Sequence, residues 1–229
     1  MIGTAARSVL GALAGALGTI VLGWALWWAV AWAGYGHPGR REVDTLVDRF
    51  MPVYEVAERH GIQVAAPAPL TYAAARGVDL QRSALVRAVF SGRRALLSDT
   101  VAATPHLSLA ELTAIGWGIL ADVPGRELVF GAVTEPWQGE VKFRPLPPGA
   151  FAAFDSAGHA KIIWTLAVDS LGARESRFRT ETRVVTTDPV SRARFRRYWS
   201  MMSPGIVLIR WQAIRLVRED AEWRARGGP

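Results

Sequence analysis

From Val9 to Tyr35 the chain carries no charged residue and is dominated by Leu, Ala, Val, Gly and Trp. It has no polar face, so it cannot be one side of an amphipathic core helix. At about 1.5 Å per residue such a helix exceeds the roughly 30 Å hydrocarbon core of a bilayer. The segment therefore reads as one membrane-spanning helix. Trp24, Trp27, Trp28, Trp32 and Tyr35 crowd its second half, where amphipathic rings suit the membrane interface. A cleaved signal peptide is the competing reading, with Arg7 as its basic region and Ala31-Trp32-Ala33 as a small-x-small cleavage site. The apolar run far exceeds the roughly 7–15 residues of a signal h-region, which favours an anchor that is kept.

This divides the chain into an anchor over residues 1–36, a linker over 37–51 and a folded domain over 52–225. A single-pass protein of the cell membrane is expected. Arg40, Arg41 and Arg49 follow the helix and Arg7 precedes it, a small basic excess that leans the domain toward the cytoplasm. Gly11, Gly15, Thr19 and Gly23 recur every fourth residue, a stripe of small residues that would let two copies pair as a homodimer. The general abundance of Gly and Ala in such helices accounts for the stripe equally well.

The net charge is +7, but beyond residue 41 the 24 basic and 20 acidic residues are interspersed. Such a balance gives no basic stripe for nucleic acid, so none is expected as a partner. The absence of cysteine excludes disulfides, thiolate metal sites and cysteine nucleophiles.

Met51 to Ala65 reads as a long strand broken near Gly61, ended by Pro67 and Pro69. Helices are expected over Leu70–Arg76 and Ser83–Leu97. Ser108-Leu109-Ala110-Glu111 fits a capping box before a further helical turn. Ile115–Val123 and Glu127–Val133 flank Pro124-Gly125-Arg126 as a hairpin; Val141–Arg144 reads as a short strand and Pro148–Phe154 as a short helix. Lys161–Asp169 and Glu175–Thr187 form a second hairpin. In its second strand Arg177, Arg179, Glu181 and Arg183 face one way, and Phe178, Thr180, Thr182 and Val184 the other. Asp188-Pro189 opens a helix that continues to Trp223, with a kink expected at Ser203-Pro204-Gly205.

Four stretches carry a family resemblance. They are Val56-Ala57-Glu58-Arg59-His60 through Ile62-Gln63-Val64-Ala65-Ala66-Pro67; Val133-Thr134-Glu135-Pro136-Trp137; Thr180-Glu181-Thr182-Arg183-Val184; and Asp188-Pro189 through Arg196-Arg197-Tyr198-Trp199, with Ser203-Pro204-Gly205 beyond. Over about residues 52–222 the chain resembles the Bet v 1/START-like superfamily, the SRPBCC or polyketide cyclase/dehydrase-like proteins, in a bacterial branch with an N-terminal anchor. The resemblance implies an α+β helix-grip fold, in which a curved antiparallel sheet wraps a long C-terminal helix. It also implies a cavity between them for lipids, sterols, polyketides or other apolar molecules.

No Gly-x-Ser-x-Gly, phosphate-binding loop or dinucleotide fingerprint is present, and His37, His60, His106 and His159 lack a second ligand at metal spacing. No metal, cofactor or catalytic residue is therefore assigned, and the sequence leans against an enzyme. The ligand-lining candidates are Phe178, Thr180 and Thr182 on one strand face, Trp164 on the paired strand and Trp117 on the earlier hairpin. Ordinary strand propensity and core packing explain the same residues. Glu181 and Arg183, on the other face, read as a surface ladder with Arg177 and Arg179. An inward Arg paired with an acid would instead suggest an anion or acid/base site. The arginines of the last helix suit either solvent or anionic headgroups. The leading expectation is a membrane-anchored binding domain for a lipid or other hydrophobic small molecule. A cyclase- or dehydratase-type enzyme and a tether that recruits a protein are the alternatives.

Overall fold

A computed structural model describes residues 2–39, 43–97 and 108–228, with side chains outside 2–13 and 109–111. The elements are α1 (Ile2–Gly34), β1 (Val56–Val64), α2 (Ala68–Gly77), α3 (Ala84–Leu97), β2 (Gly118–Val123), β3 (Glu127–Thr134), α4 (Pro148–Ala153), β4 (Ala160–Gly172), β5 (Glu175–Thr186) and α5 (Pro189–Ala225). The strands form one antiparallel sheet in the order β1-β5-β4-β3-β2. With α5 laid along the inner face of this sheet, the fold is the α+β helix-grip arrangement.

Local chemistry accounts for the elements. Gly125 adopts φ 74° in the turn between β2 and β3, a left-handed conformation that costs glycine little. Asp188 caps α5, its carboxylate accepting from the backbone N–H groups of Val190 and Ser191 at 2.8 and 2.9 Å. The expected kink does not interrupt α5, which runs for 37 residues through Pro204. Proline forfeits one backbone bond there, and the helix assignment continues past it. Gly205 follows because α3 crosses close by: a Cβ at that position would stand 2.9 Å from Val89 Cγ1.

Three further expectations are corrected. β1 begins only at Val56, and Gly61 does not break it but stays paired with Arg179. Val141–Arg144 makes no strand, only a single bridge between Arg144 and Val133. The linker before β1 is not a detached tether: it holds a 3-10 turn at Val47–Arg49 and part of it is buried. Val47, Phe50, Met51 and Tyr54 instead pack with Val129, Val133, Phe151 and Ile163 on the outer face of the sheet. At the expected capping box, a 3-10 segment (Leu109–Ile115) does follow, but the side chain of Glu111 lies outside the described residues.

That covered outer face changes the reading of the charged row on β5. Arg183 is fully buried, and Glu181 nearly so. Arg183 donates to Glu181 at 2.7 Å, to Asp48 and to the Met51 carbonyl, and lies 4.5 Å from the Tyr54 ring. Arg59 adds a 2.8 Å bond to Glu181. A surface ladder survives only at Arg179–Asp169, which is part-exposed at 2.6 Å. The buried pair sits beneath residues 47–54 and is closed by them, so it fastens that segment to the sheet.

α1 is long and apolar enough to cross a bilayer. Its last turns dock antiparallel on α5. Trp27 Nε1 donates to Ser203 Oγ at 2.9 Å, and Arg196 donates twice to the Trp32 carbonyl, at 2.7 and 3.1 Å, with its guanidinium 4.2 Å from the Trp32 ring. A cation at the carbonyl end of a helix satisfies orphan acceptors and complements the helix dipole. Tyr35 continues the contact, donating to Glu55 at 2.6 Å and packing on Phe195. Gly15 and Gly23 face open space, and Gly11 lies where side-chain surroundings are outside the description.

Glu127, on the outer face, is 5% exposed and its Oε1 has no hydrogen-bond partner. Burial, reinforced by Asp44, pushes its carboxyl up to about 7. The folded state thus holds this proton more tightly than the unfolded chain. Stability is accordingly lost as pH rises from the ordinary glutamate range through about 7. Glu127→Gln is expected to raise stability at pH 8 by roughly 2–3 kcal/mol and to have little effect at pH 4. Thermal melts at the two pH values check this; an equal effect at both would refute it.

Candidate functional site

In an antiparallel sheet, directly opposed residues share a face. The pairing of β1, β5 and β4 therefore places Glu58, Thr182 and Trp164 in one row under α5, with His60 and Thr180 opposed in the next. Ile62, Phe178 and Val168 continue the same face toward the far end. Trp117, just before β2, meets Phe143 at 5.2 Å and Trp164 at 6.3 Å between ring centres. All five lining candidates, Trp117, Trp164, Phe178, Thr180 and Thr182, thus belong to the inner side and are buried.

The two threonines differ. Thr180 Oγ1 accepts from Trp164 Nε1 at 2.7 Å and donates to the Thr165 carbonyl at 2.8 Å, so its hydroxyl is spent within the sheet. Thr182 Oγ1 is buried with no hydrogen-bond partner. Two more polar atoms in the same region share that state, His60 Nε2 and Arg210 Nε. Buried polar atoms are nearly always satisfied, so three on the one side of the sheet that faces α5 call for an explanation.

Arg210 comes from α5. It is 9% exposed, and its guanidinium lies 3.7 Å from the centre of the Trp164 ring. Desolvation pulls it down to about 9, partly opposed by Glu58. Desolvation also raises the Glu58 carboxyl and lowers His60, with Arg210 acting the other way on Glu58 and adding to the lowering of His60. His60 Nε2 stands 3.7 Å from Glu58, and its ring meets the half-exposed Trp211 edge-on at 5.7 Å. β1 is an edge strand of the sheet, so this region lies near its border rather than under its centre. Two depressions, of about 460 and 430 Å³, lie elsewhere, one around Gly61, Gln63 and Arg177, the other around Glu135, Lys142 and His159.

The sequence reading did not single out Arg210 or Glu58. Arg210 was grouped with the basic outer side of α5. Yet it stands four residues after Ile206 and four before Ile214, on the apolar stripe, and its period was the available signal. Glu58 and His60 alternate with the outward Ala57 and Arg59, which places them inward with Val56 and Ile62. Among the described residues no group of three metal-ligating side chains occurs. His37 and His159 lie apart from this region, and His106 is outside the described residues.

No protein-family model matches the chain, and no curated protein matches it. Among solved structures, the chain is similar to the ZhuI aromatase/cyclase from Streptomyces sp. R1128, at 16% identity and a TM-score of 0.30, covering 76% of this chain and 98% of that one. It is also similar to the di-domain aromatase/cyclase BexL of the BE-7585A biosynthetic pathway, at 16% identity and a TM-score of 0.25, covering 72% of this chain and 46% of that one. The relation is one of coarse fold and carries no information about function.

The contrast between the threonines is testable without a ligand. Thr180→Val strands the Trp164 N–H and the Thr165 carbonyl, and is expected to cost about 1–3 kcal/mol. Thr182→Val removes a hydroxyl that bonds nothing, and is expected to leave stability unchanged or slightly higher. Denaturant unfolding of both variants decides the matter; similar losses would show that the Thr182 hydroxyl has a partner.

Proposed function

We propose that the protein is a membrane-anchored binding domain for a hydrophobic small molecule or lipid, held between the inner face of the sheet and α5. One observation carries this reading: Thr182 Oγ1, His60 Nε2 and Arg210 Nε are buried and unpartnered beside an aromatic wall of Trp117, Trp164 and Phe178. Apolar walls with a few placed polar groups are what small-molecule sites require. In this reading α1 is the anchor. Its last turns, from Trp27, stay on the domain, and the uncharged run from Ser8 to Leu26 suffices for the roughly 30 Å core.

A second reading, a cyclase- or dehydratase-type enzyme, draws on Glu58 and His60. These two ionisable groups, 3.7 Å apart, sit on the same inner face and could move a proton on a bound ligand. It requires turnover, whereas the first requires only saturable binding.

The full-length protein in detergent is expected to bind an apolar fluorescent probe saturably, and Trp211→Ala at the rim is expected to change the rate of probe uptake. Failure of every apolar probe in a broad panel to saturate would remove the binding reading. The anchor is checked separately: the protein should stay with membranes after carbonate extraction, and its release would remove that part alone.

A further inference from the structure

We propose that the site between the sheet and α5 selects ligands bearing a single carboxylate on an apolar body, and that Arg210 is the group that recognises it. The inference rests on the binding reading above and names its ligand class. Arg210 is nine-tenths buried, its Nε is sealed from water without a hydrogen-bond partner, and among the described residues no acidic oxygen lies within 4.0 Å of its nitrogens. Its one close contact is the face of Trp164. Stacking on that face leaves the edge of the guanidinium, where its N–H groups point, free to meet an acceptor.

A largely buried cation opposes folding where burial strips water from an N–H and no acceptor replaces it, as at Arg210 Nε. Arg183 provides the internal comparison. It is fully buried on the outer face of β5, where its Nε and Nη1 donate to Glu181, Asp48 and a backbone carbonyl and only Nη2 is left without a bond. Where its role is structural, a buried arginine of this protein is thus paired with acids. Arg210 lacks that shell on the side of the sheet where apolar rings and the idle Thr182 hydroxyl gather. A carboxylate placed against the guanidinium edge would supply two acceptors in one plane, matching the planar fork of arginine. Thr182 and His60, each with an unused polar atom, are the neighbouring groups able to hold its oxygens.

The charge limits the head group. The groups facing this space are Arg210 and Glu58, with His60 depressed toward its neutral form. The space holds a single cation with an acid nearby, so a second negative charge on the head group would find nothing to balance it. A phosphate monoester is thereby disfavoured, and a monocarboxylate fits. Glu58 then acts as a competitor for Arg210, which yields a prediction opposite to that of a structural ion pair. Removing its charge should tighten acid binding.

Acids and their methyl esters separate the charge from the apolar body. Dodecanoate against methyl dodecanoate tests a straight-chain source, and 2-naphthoate against methyl 2-naphthoate an aromatic one, by titration of the full-length protein in detergent at pH 7.5. At least one acid is expected to bind about tenfold or more tightly than its ester. Arg210→Met should abolish that preference while leaving the melting temperature equal or higher. Glu58→Gln should tighten acid binding severalfold. Equal binding of acid and ester by the wild type would overturn the carboxylate assignment while sparing the apolar site. Loss of stability in both Arg210→Met and Glu58→Gln would also overturn it, because it marks a structural pair. If Arg210→Met does not fold, the wild-type preference and the Glu58→Gln titration still decide. Absence of saturable binding by acids and esters alike removes the site itself.

Discussion

The burial of β5 on both faces from Thr180 to Val184 is the constraint on which the remaining structure depends. A strand buried on both sides ordinarily reads as a continuous apolar run. This one alternates instead, with Phe178, Thr180, Thr182 and Val184 inward and Arg177, Arg179, Glu181 and Arg183 outward. The charged row cannot be sealed from water without partners. The partners come from outside the strand: Asp48 and the Met51 carbonyl are drawn over Arg183, which seats residues 47–54 against the sheet. The inward row is sealed by α5. Two different chemistries thus flank one strand, an ionic seal outside and an apolar one inside, and the polar anomalies on the apolar side stand out against it.

Much of this was legible in the sequence, for identifiable reasons. Alternation in β5, the turn at Pro124-Gly125 and the Asp188 cap are local signals, and each maps onto the element it specifies. The assignment of Phe178, Thr180 and Thr182 to one face needed only a period of two. What was not legible depended on contacts distant in sequence. The segment before β1 looked like a polar connector because Asp44, Asp48 and Arg49 interrupt its apolar residues, and only the sheet beneath explains why Val47 and Met51 are buried. Likewise, nothing local tells that Thr180 spends its hydroxyl on Trp164 and Thr165 while Thr182 does not. Proline at 204 lies inside α5 without ending it, since the helix runs on to Ala225.

Arg183 and Arg210 show how one residue type is used in two ways. Each guanidinium lies against an aromatic ring, Tyr54 in one case and Trp164 in the other. The first is surrounded by acceptors from three parts of the chain, so its charge is an internal fastening. The second has the ring alone, so its charge stays available. Stability and recognition are thereby separated by the sheet itself, with the structural arginine on the outer side and the uncommitted one on the inner.

The clamp between α1 and α5 has a mechanical consequence. Tyr35 on Glu55, Arg196 on the Trp32 carbonyl and Trp27 on Ser203 join the N-terminal helix to the domain at three successive levels. A domain hung on a flexible leash sweeps a volume set by leash length, and its bearing is random. Here the helix is instead a rigid mast. Whatever surrounds its first half, the side of the domain that carries Trp211 keeps one height and one heading relative to that half, because Trp211 stands on the same α5 that makes the clamp. Lengthening the loop between Tyr35 and Val56 would therefore leave the bearing of the domain unchanged, whereas loosening a single rung of the clamp would set it swinging.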